Sequence, residues 1–367
     1  MNTSIYDKVT HKVKGSVGVR LRNLFDVDTK MPGVKIMPIK AGPQESLVSV
    51  IITTYNRPSY LKQAIESVVK QKHKNIEIIV ADDCSHESPQ PIIEAFQDSR
   101  IKFLRNTRNL GISLNVISAF KQAQGKYVAS LNDDDMWNED FLEKLVPHLD
   151  DNPDLALAFC DHYIVDPDGK INASATNKNS RCWKRDQLTE GVYQPFYGIG
   201  LVDGAVFTAS AAVIRKDVID WNNFPVEAGV FWDLYITYLA SCSGRGAYYY
   251  PGRLTRYRVH TQSESAISGS RDVQAKIRKA NAGMFCYGRF MEDDRLQEFR
   301  SYFKHKWAHA NTTMGIGLLR AEQVAEARPY LWRALSQQKF NLRTIVALTL
   351  SFTPRSLVSQ FIGVSTK

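Results

Sequence analysis

The chain is poor in cysteine, and what it has is scattered. Cys84, Cys160, Cys182, Cys242 and Cys286 are odd in number and include no Cys-x-x-Cys pair, which argues against a disulfide framework and a zinc site. Long apolar runs are missing too. The most apolar stretches, LVSVII at 47–52 and TIVALTLSF at 344–352, fall well short of the roughly 18–20 residues that a spanning helix needs, so no transmembrane segment is expected. Residues 1–15, MNTSIYDKVTHKVKG, lack the uninterrupted apolar stretch of a secretory signal, which together with the cysteine usage points to a reducing cytosol. The turn TTYNRPS at 53–59 contains no glycine. That removes the glycine-rich, phosphate-cradling loop a nucleotidyltransferase would carry after its first strand.

What is present is an ordinary globular composition, 44% apolar and 23% charged over 367 residues, enough for one large domain or two modest ones. The net charge of +9 is unevenly spread. Residues 1–46 hold 8 Lys/Arg against 4 Asp/Glu, residues 271–367 hold 16 against 7, and the stretch between holds 23 against 27. A mildly acidic centre between basic ends does not fit a body that grips nucleic acid, where the basic surface coincides with the reading domain. Basic ends suit the surface of an anionic membrane, and equally a plain solvated surface.

From Leu47 onward short apolar runs alternate with helical patterns. Strands are expected at LVSVIITT (47–54), IEIIVA (76–81), IKFL (101–104) and KYVASL (126–131), with helices at 58–71, around 92–96 and at 112–123. This order predicts an α/β fold with a parallel, doubly wound sheet whose ligands sit at the carboxyl ends of the strands. Beyond it the pattern predicts a helix at 138–149, a strand 155–165 turning at DPDG (166–169) into a hairpin, and an irregular, aromatic stretch over 170–200. Regularity returns with AVFTASAAVIRK (205–216), a helix at about 231–242 and short strands near 247–250 and 254–260. From 271 the pattern is wholly helical, and 321–338 reads as a helical hairpin.

The chemistry-bearing residues fall at the strand ends. LNDDDMW (131–137) puts Asp133, Asp134 and Asp135 in a row after a buried strand, a costly arrangement that calls for a cation because like charges raise one another's pKa. Oxygen ligands of this kind suit Mn²⁺ or Mg²⁺ completed by water and phosphates, and a solvated turn capping the next helix is the plain alternative. The end of the first strand offers Thr53, Tyr55, Asn56 and Arg57. The second offers Asp82 and Asp83, and RNTRNLGIS (105–113) adds Arg105, Arg108, Asn109 and Gly111. Downstream lie Asp233, beside Phe231 and Trp232, and His260 in YRVH.

Taken in order, VSVIITTYNRPSYLKQAIESVVKQ, IEIIVADDCSHES, NLGISLNVISAFKQAQGKYVASLNDDD, MWNEDFLEKL, FWDLYITYLA and YRVH resemble glycosyltransferase family 2, over about 47–262. The resemblance implies a GT-A fold, a mixed sheet with helices on both faces, and an inverting sugar transfer from a nucleotide sugar, a UDP-sugar foremost. It also implies nucleotide contacts from Thr53, Tyr55, Asn56, Arg57, Asp82, Asp83, Asn109 and Asp133, a metal held by Asp134, Asp135 and His260, and Asp233 as general base. The family's first acidic place is Asn132 here, its helix arginine is Val116, and its Glu-Asp pair is Trp232-Asp233. A glycan or lipid-linked acceptor, in surface polysaccharide or glycoconjugate synthesis, follows at family level.

The expected organisation is therefore a basic extension over 1–46, a GT-A domain over 47–270 divided near 135 into a nucleotide-binding and an acceptor half, and a helical region over 271–367. The aromatics Trp183, Tyr193, Phe196, Tyr197, Phe207 and Trp221 suit an acceptor groove or plain loop packing. FNLRTIVALTLSFTPRSLVSQFIGV (340–364) suits a membrane interface or a docked terminal helix. The competing functional readings are a catalytically silent subunit of the same fold and a nucleotidyltransferase.

Overall fold

The computed structural model describes residues 45–263, 266–267, 272–338 and 340–353. The basic segment 1–44, the junction at 268–271 and residues 354–364 of the apolar C-terminal run lie outside the described residues.

Strand β1 (Val48–Thr54) is buried throughout and mostly apolar because both its faces are covered. Val50 and Ile52 point into one core with Leu61, Ile65 and Val68 of α1 (Pro58–Val69), while Ile51 points into another with Val116 and Phe120 of α3 (Ile112–Gln122). Strands β2 (Ile76–Asp82), followed by the short α2 (Gln90–Glu94), and β3 (Ile101–Arg105) extend the sheet on one side. On the other side lies β4 (Tyr127–Asn132). All four are parallel in the order β3-β2-β1-β4, as the alternating pattern predicts. Gly125 makes the last turn possible: a Cβ there would lie 2.7 Å from the Ser49 amide nitrogen. The shared register places Thr54 beside Asp82, Asp82 beside Arg105, and Thr53 beside Asn132, so the polar strand ends form one edge.

The second half of the sheet is mixed. After the two-residue β5 (Met136–Trp137) and α4 (Phe141–Asp151), β6 (Leu155–Val165) runs up the molecule. A three-residue β7 (Gly191–Tyr193) comes next. The antiparallel β8 (Ala212–Arg215) then bridges β4 to β6, and β9 (Gly246–Arg258) lies parallel to β6.

Several expectations change here. The hairpin after DPDG shrinks to one bridge, Val165 to Ile171, and the chain continues into α5 (Ala173–Cys182), which lies in the stretch expected to be irregular. Its sequence hides it, since only Thr176 and Ser180 are buried and neither is apolar. The two short strands near 250 are one strand, with register shifts against β6 around Asp161. Of the run 205–216 only Ala212–Arg215 is strand.

The C-terminal region is helical as expected. It comprises α7 (Val273–Glu292), α8 (Arg300–Arg320), α9 (Val324–Gln337) and α10 (Leu342–Leu350), preceded in the chain by α6 (Trp232–Ser241) at the sheet. The segment 321–338 is one arm of a hairpin whose other arm is α8. Phe290 and Phe303 share a core with Phe120 and Trp232, whereas Met314, Leu331 and Leu348 form a separate cluster.

Candidate active site

The edge at the ends of β1, β4 and β9 carries a dense polar network. Asp133, Asp134 and Asp135 are all buried, exposing 3%, 7% and 1% of their surface. Each carboxylate is therefore committed to specific partners. Asp133 accepts from Thr54 Oγ1 at 2.8 Å, and Arg57 Nη1 bridges Asp133 Oδ1 at 3.1 Å and Asp134 Oδ2 at 3.0 Å. The other guanidinium nitrogen of Arg57 donates to the Gln262 carbonyl at 2.6 Å. His260 Nε2 lies 2.9 Å from Asp134 Oδ2, so the end of β4 and the chain just past β9 meet at one oxygen.

Asp135 turns elsewhere. Its Oδ1 accepts from the Arg258 backbone N–H at 2.9 Å and its Oδ2 from Ser210 Oγ at 2.6 Å and Asn132 Nδ2 at 3.3 Å. The fully buried Arg258 ties the turn down: Nε donates to the Asp134 carbonyl at 2.7 Å, Nη1 to Pro167 at 2.6 Å and Nη2 to Gln63 at 2.9 Å. Tyr60 lies against both Arg258 and His260, its ring centre 4.6 Å from the guanidinium carbon and 5.1 Å from the imidazole centre. Burial, then the Asp134 charge, pushes the carboxyls of Asp133 and Asp135 above the usual range.

The residues at the neighbouring strand ends shape loops. Asp82 accepts from the Ser85 backbone N–H at 3.1 Å, and Asp83 takes the N–H groups of Leu110 and Gly111, each at 2.8 Å, and Asn106 Nδ2 at 2.9 Å. Both aspartates are thus spent on the chain itself. Asn56, at a left-handed φ of 55°, is held by Ser85 Oγ and in turn accepts from the His86 N–H, each at 2.8 Å, so the first two loops are pinned together. Tyr55 and Asn109 remain exposed beside them, and Thr53 is buried.

Asp233 opens α6 and is half-buried. Among the described residues no side chain donates to its carboxylate, and burial pushes it up to about 6 against weaker help from backbone N–H groups. One turn joins it to the triplet: Thr208 Oγ1 donates to the Asp233 carbonyl at 2.7 Å, two residues from the Ser210 that holds Asp135. Next to Thr208 in the chain, Phe207 packs on His162 and Tyr257, with ring centres 5.5 Å apart in each pair. Of the other aromatics weighed for a groove, Phe196 and Trp221 are buried in the core, which favours packing there, while Trp183 is exposed.

Reading the chain did not single out Arg258, Ser210 or Thr208. Arg258 stands in the YRVH motif that carries His260, so a signal existed. Ser210 and Thr208 stand in an unremarkable FTAS segment, 75 residues beyond the Asp135 that Ser210 serves. Among the described residues no three His, Cys, Asp or Glu side chains converge to enclose an ion. The donor set nevertheless fits a dication of the Mg²⁺ or Mn²⁺ kind, which takes few protein oxygens and completes its shell with water and phosphate. Asp134 and His260 are brought together in that way, and Arg57 already supplies positive charge at the same oxygens. Asp135 is not brought to them.

Residues 49–215 match the model described as Glycosyl transferase family 2. An uncharacterised glycosyltransferase of Methanocaldococcus jannaschii is 40% identical over 129 residues, 34% of this chain but only 44% of that protein's length. The GalNAc(5)-diNAcBac-PP-undecaprenol beta-1,3-glucosyltransferase of Campylobacter jejuni is 23% identical over 321 residues, covering 85% of this chain and 96% of that one. Among solved structures, S. aureus TarS 1–349 in complex with UDP-GlcNAc aligns with a TM-score of 0.59 at 15% identity, over 83% of this chain and 90% of that one, a likeness of fold.

Proposed function

The chain belongs to glycosyltransferase family 2 through residues 49–215 and carries the GT-A fold; on that footing we propose that it transfers a sugar from a nucleotide sugar, with inversion, to the hydroxyl of a lipid-linked glycan. The observation that carries this reading is the contact of His260 with Asp134, which gathers a nitrogen and a carboxylate oxygen beside the strand ends where a diphosphate would lie. A UDP-sugar donor is supported by the UDP-GlcNAc bound to TarS, and a lipid-linked acceptor by the undecaprenol-linked substrate in the name of the C. jejuni relative.

In this reading Asp134 and His260 would hold Mn²⁺ or Mg²⁺, while Asp135 positions the turn through Ser210 and the Arg258 backbone. A dication bound there supplies positive charge to the departing diphosphate. Thr53, Tyr55, Asn56, Arg57, Asn109 and Asp133 border the nucleotide, Tyr55 offering its exposed ring to the base. Asp82 and Asp83 act one step back by shaping the loops. Arg57 adds a second cation at the same place, so charge developing on phosphate meets donors already oriented and needs little rearrangement.

Asp233 takes the acceptor proton. A hydroxyl is a weak nucleophile until a base removes its proton in the transition state, and a carboxylate raised toward neutrality, with no side-chain donor competing for it, is suited to the task. Attack from the side opposite the diphosphate inverts the anomeric carbon in one displacement.

The test is release of nucleoside diphosphate by the purified chain from UDP-glucose, UDP-GlcNAc and GDP-mannose, with Mn²⁺ and a polyprenyl-diphosphate-linked acceptor in detergent. Acceptor-dependent release lost in Asp233→Asn is the expected result. Donor binding without turnover under every combination would instead identify a silent subunit.

A further inference from the structure

Helix α10 is apolar on two faces, and among the described residues only one of them is covered. On the inner face Ala347 and Leu348 join the cluster of Met314 and Leu331, and Thr344 Oγ1 lies 2.7 Å from Thr312 Oγ1 of α8 in a buried pair that docks the helix. Leu342, Ile345 and Val346 follow the helical repeat along the opposite side and stay exposed, Leu342 by 73% and Val346 by 47%. Phe340, just before the helix, is 93% exposed, and Phe352, just after it, 60%. Single exposed apolar residues are ordinary, but a run of them along one helix and both its ends marks an interaction surface.

Basic groups gather beside this helix. His309 of α8 is held below its usual range first by burial and then by Arg343, Lys306, His305 and Lys279, so three helices bring basic groups to one place and none of its strongest neighbours is acidic. Arg343, beside Leu342 on α10, is itself lowered by burial and by Arg320. Arg328 extends the series, its guanidinium carbon 4.4 Å from the Phe352 ring centre. Apolar side chains rimmed by arginine and lysine match the two layers of an anionic bilayer surface, hydrocarbon beneath and phosphate above. With only nine residues, α10 is far too short to cross that bilayer.

We propose that the outward face of α10, with Phe340 and Phe352 at its ends and Arg343, Lys306, Lys279 and Arg320 beside it, docks the protein on an anionic phospholipid bilayer. A second copy of the chain would need acidic groups to meet this rim, which makes it the poorer partner. The docking goes beyond the catalytic proposal and does not rely on it.

The test is cosedimentation of the full chain with phosphatidylcholine vesicles prepared with and without phosphatidylglycerol. Binding is expected only with phosphatidylglycerol, weakening as salt rises. Phe340→Glu with Val346→Glu should lower the bound fraction roughly tenfold or more. Arg343→Glu with Lys306→Glu should do the same while leaving the apolar residues intact. Unchanged melting temperatures would show that both variants fold, and nucleoside diphosphate release in detergent should match the unaltered chain, which separates docking from catalysis. Equal vesicle binding by all three proteins would overturn the proposal. So would a dimer seen by light scattering that Phe340→Glu with Val346→Glu dissolves, in a chain that ignores vesicles.

Discussion

Asp133, Asp134 and Asp135 take hydrogen bonds or ion pairs from Thr54, Arg57, His260, Ser210 and the Arg258 backbone, whereas the carboxylate of Asp233 is left with backbone N–H groups at the head of its helix. Both regions are acidic and are linked through the turn of Thr208 and Ser210, yet their carboxylates are partnered in opposite ways. Carboxylates meant to fix a ligand's charge gain from being oriented in advance, because no reorganisation is then needed when the ligand arrives. A carboxylate meant to accept a proton gains from the lack of competing donors, because burial alone then raises its affinity for that proton.

The sharpest way to break this contrast is Asp233→Asn. Turnover should fall about 10²- to 10⁴-fold, the range for loss of a general base, with donor binding by calorimetry unchanged. Stability should move the other way. With its carboxyl raised from 3.8 to about 6, the folded chain binds this proton more tightly than the unfolded chain, so ionised Asp233 costs stability as pH rises through that interval. Thermal melts should therefore show Asp233→Asn more stable than the parent near neutral pH, with the gain fading toward pH 4. In the parent, kcat/KM should rise with pH through about 6, where Asp233 ionises; a profile flat across that range would count against Asp233 as the base.

Arg258→Met probes the tethered side. It removes a buried guanidinium that fixes the Asp134 carbonyl and packs on Tyr60, so chemical denaturation should register a loss of about 3–5 kcal/mol, the usual result of breaking a buried charged network. His260→Ala should leave the fold intact and weaken Mn²⁺-dependent nucleotide binding about 10- to 100-fold, read by calorimetry with and without the ion. Thr208→Val should have the smallest effect. It removes one hydrogen bond to the Asp233 carbonyl, worth about 1 kcal/mol, and should lower kcat by a few fold with little change in KM for the donor.

Much of this was legible in the chain. The parallel strands announced themselves because strands buried on both faces read as continuous apolar runs, and the triplet stood out because three charges in a row after such a strand demand an explanation. Helix α5 was missed because ASATNKNSRC has no apolar periodicity to betray it, and the length of β9 was missed because Pro251 and Gly252 interrupt its pattern. The division of labour within the triplet was not legible either. Asp134 and Asp135 are adjacent in the sequence, and only folding turns one toward His260 and the other toward Ser210.

The sequence by itself determined the order of strands and helices from β1 to β4, the placing of polar residues at strand ends, and the presence of an acidic turn, because these depend on periodicity and on neighbours a few positions apart. Tertiary structure decided which oxygen meets His260, that Asp82 and Asp83 are spent on their own loops, that Thr208 links Asp233 to the turn holding Asp135, and which face of α10 docks on α8. Such contacts join residues tens to hundreds of positions apart, and no local pattern encodes them.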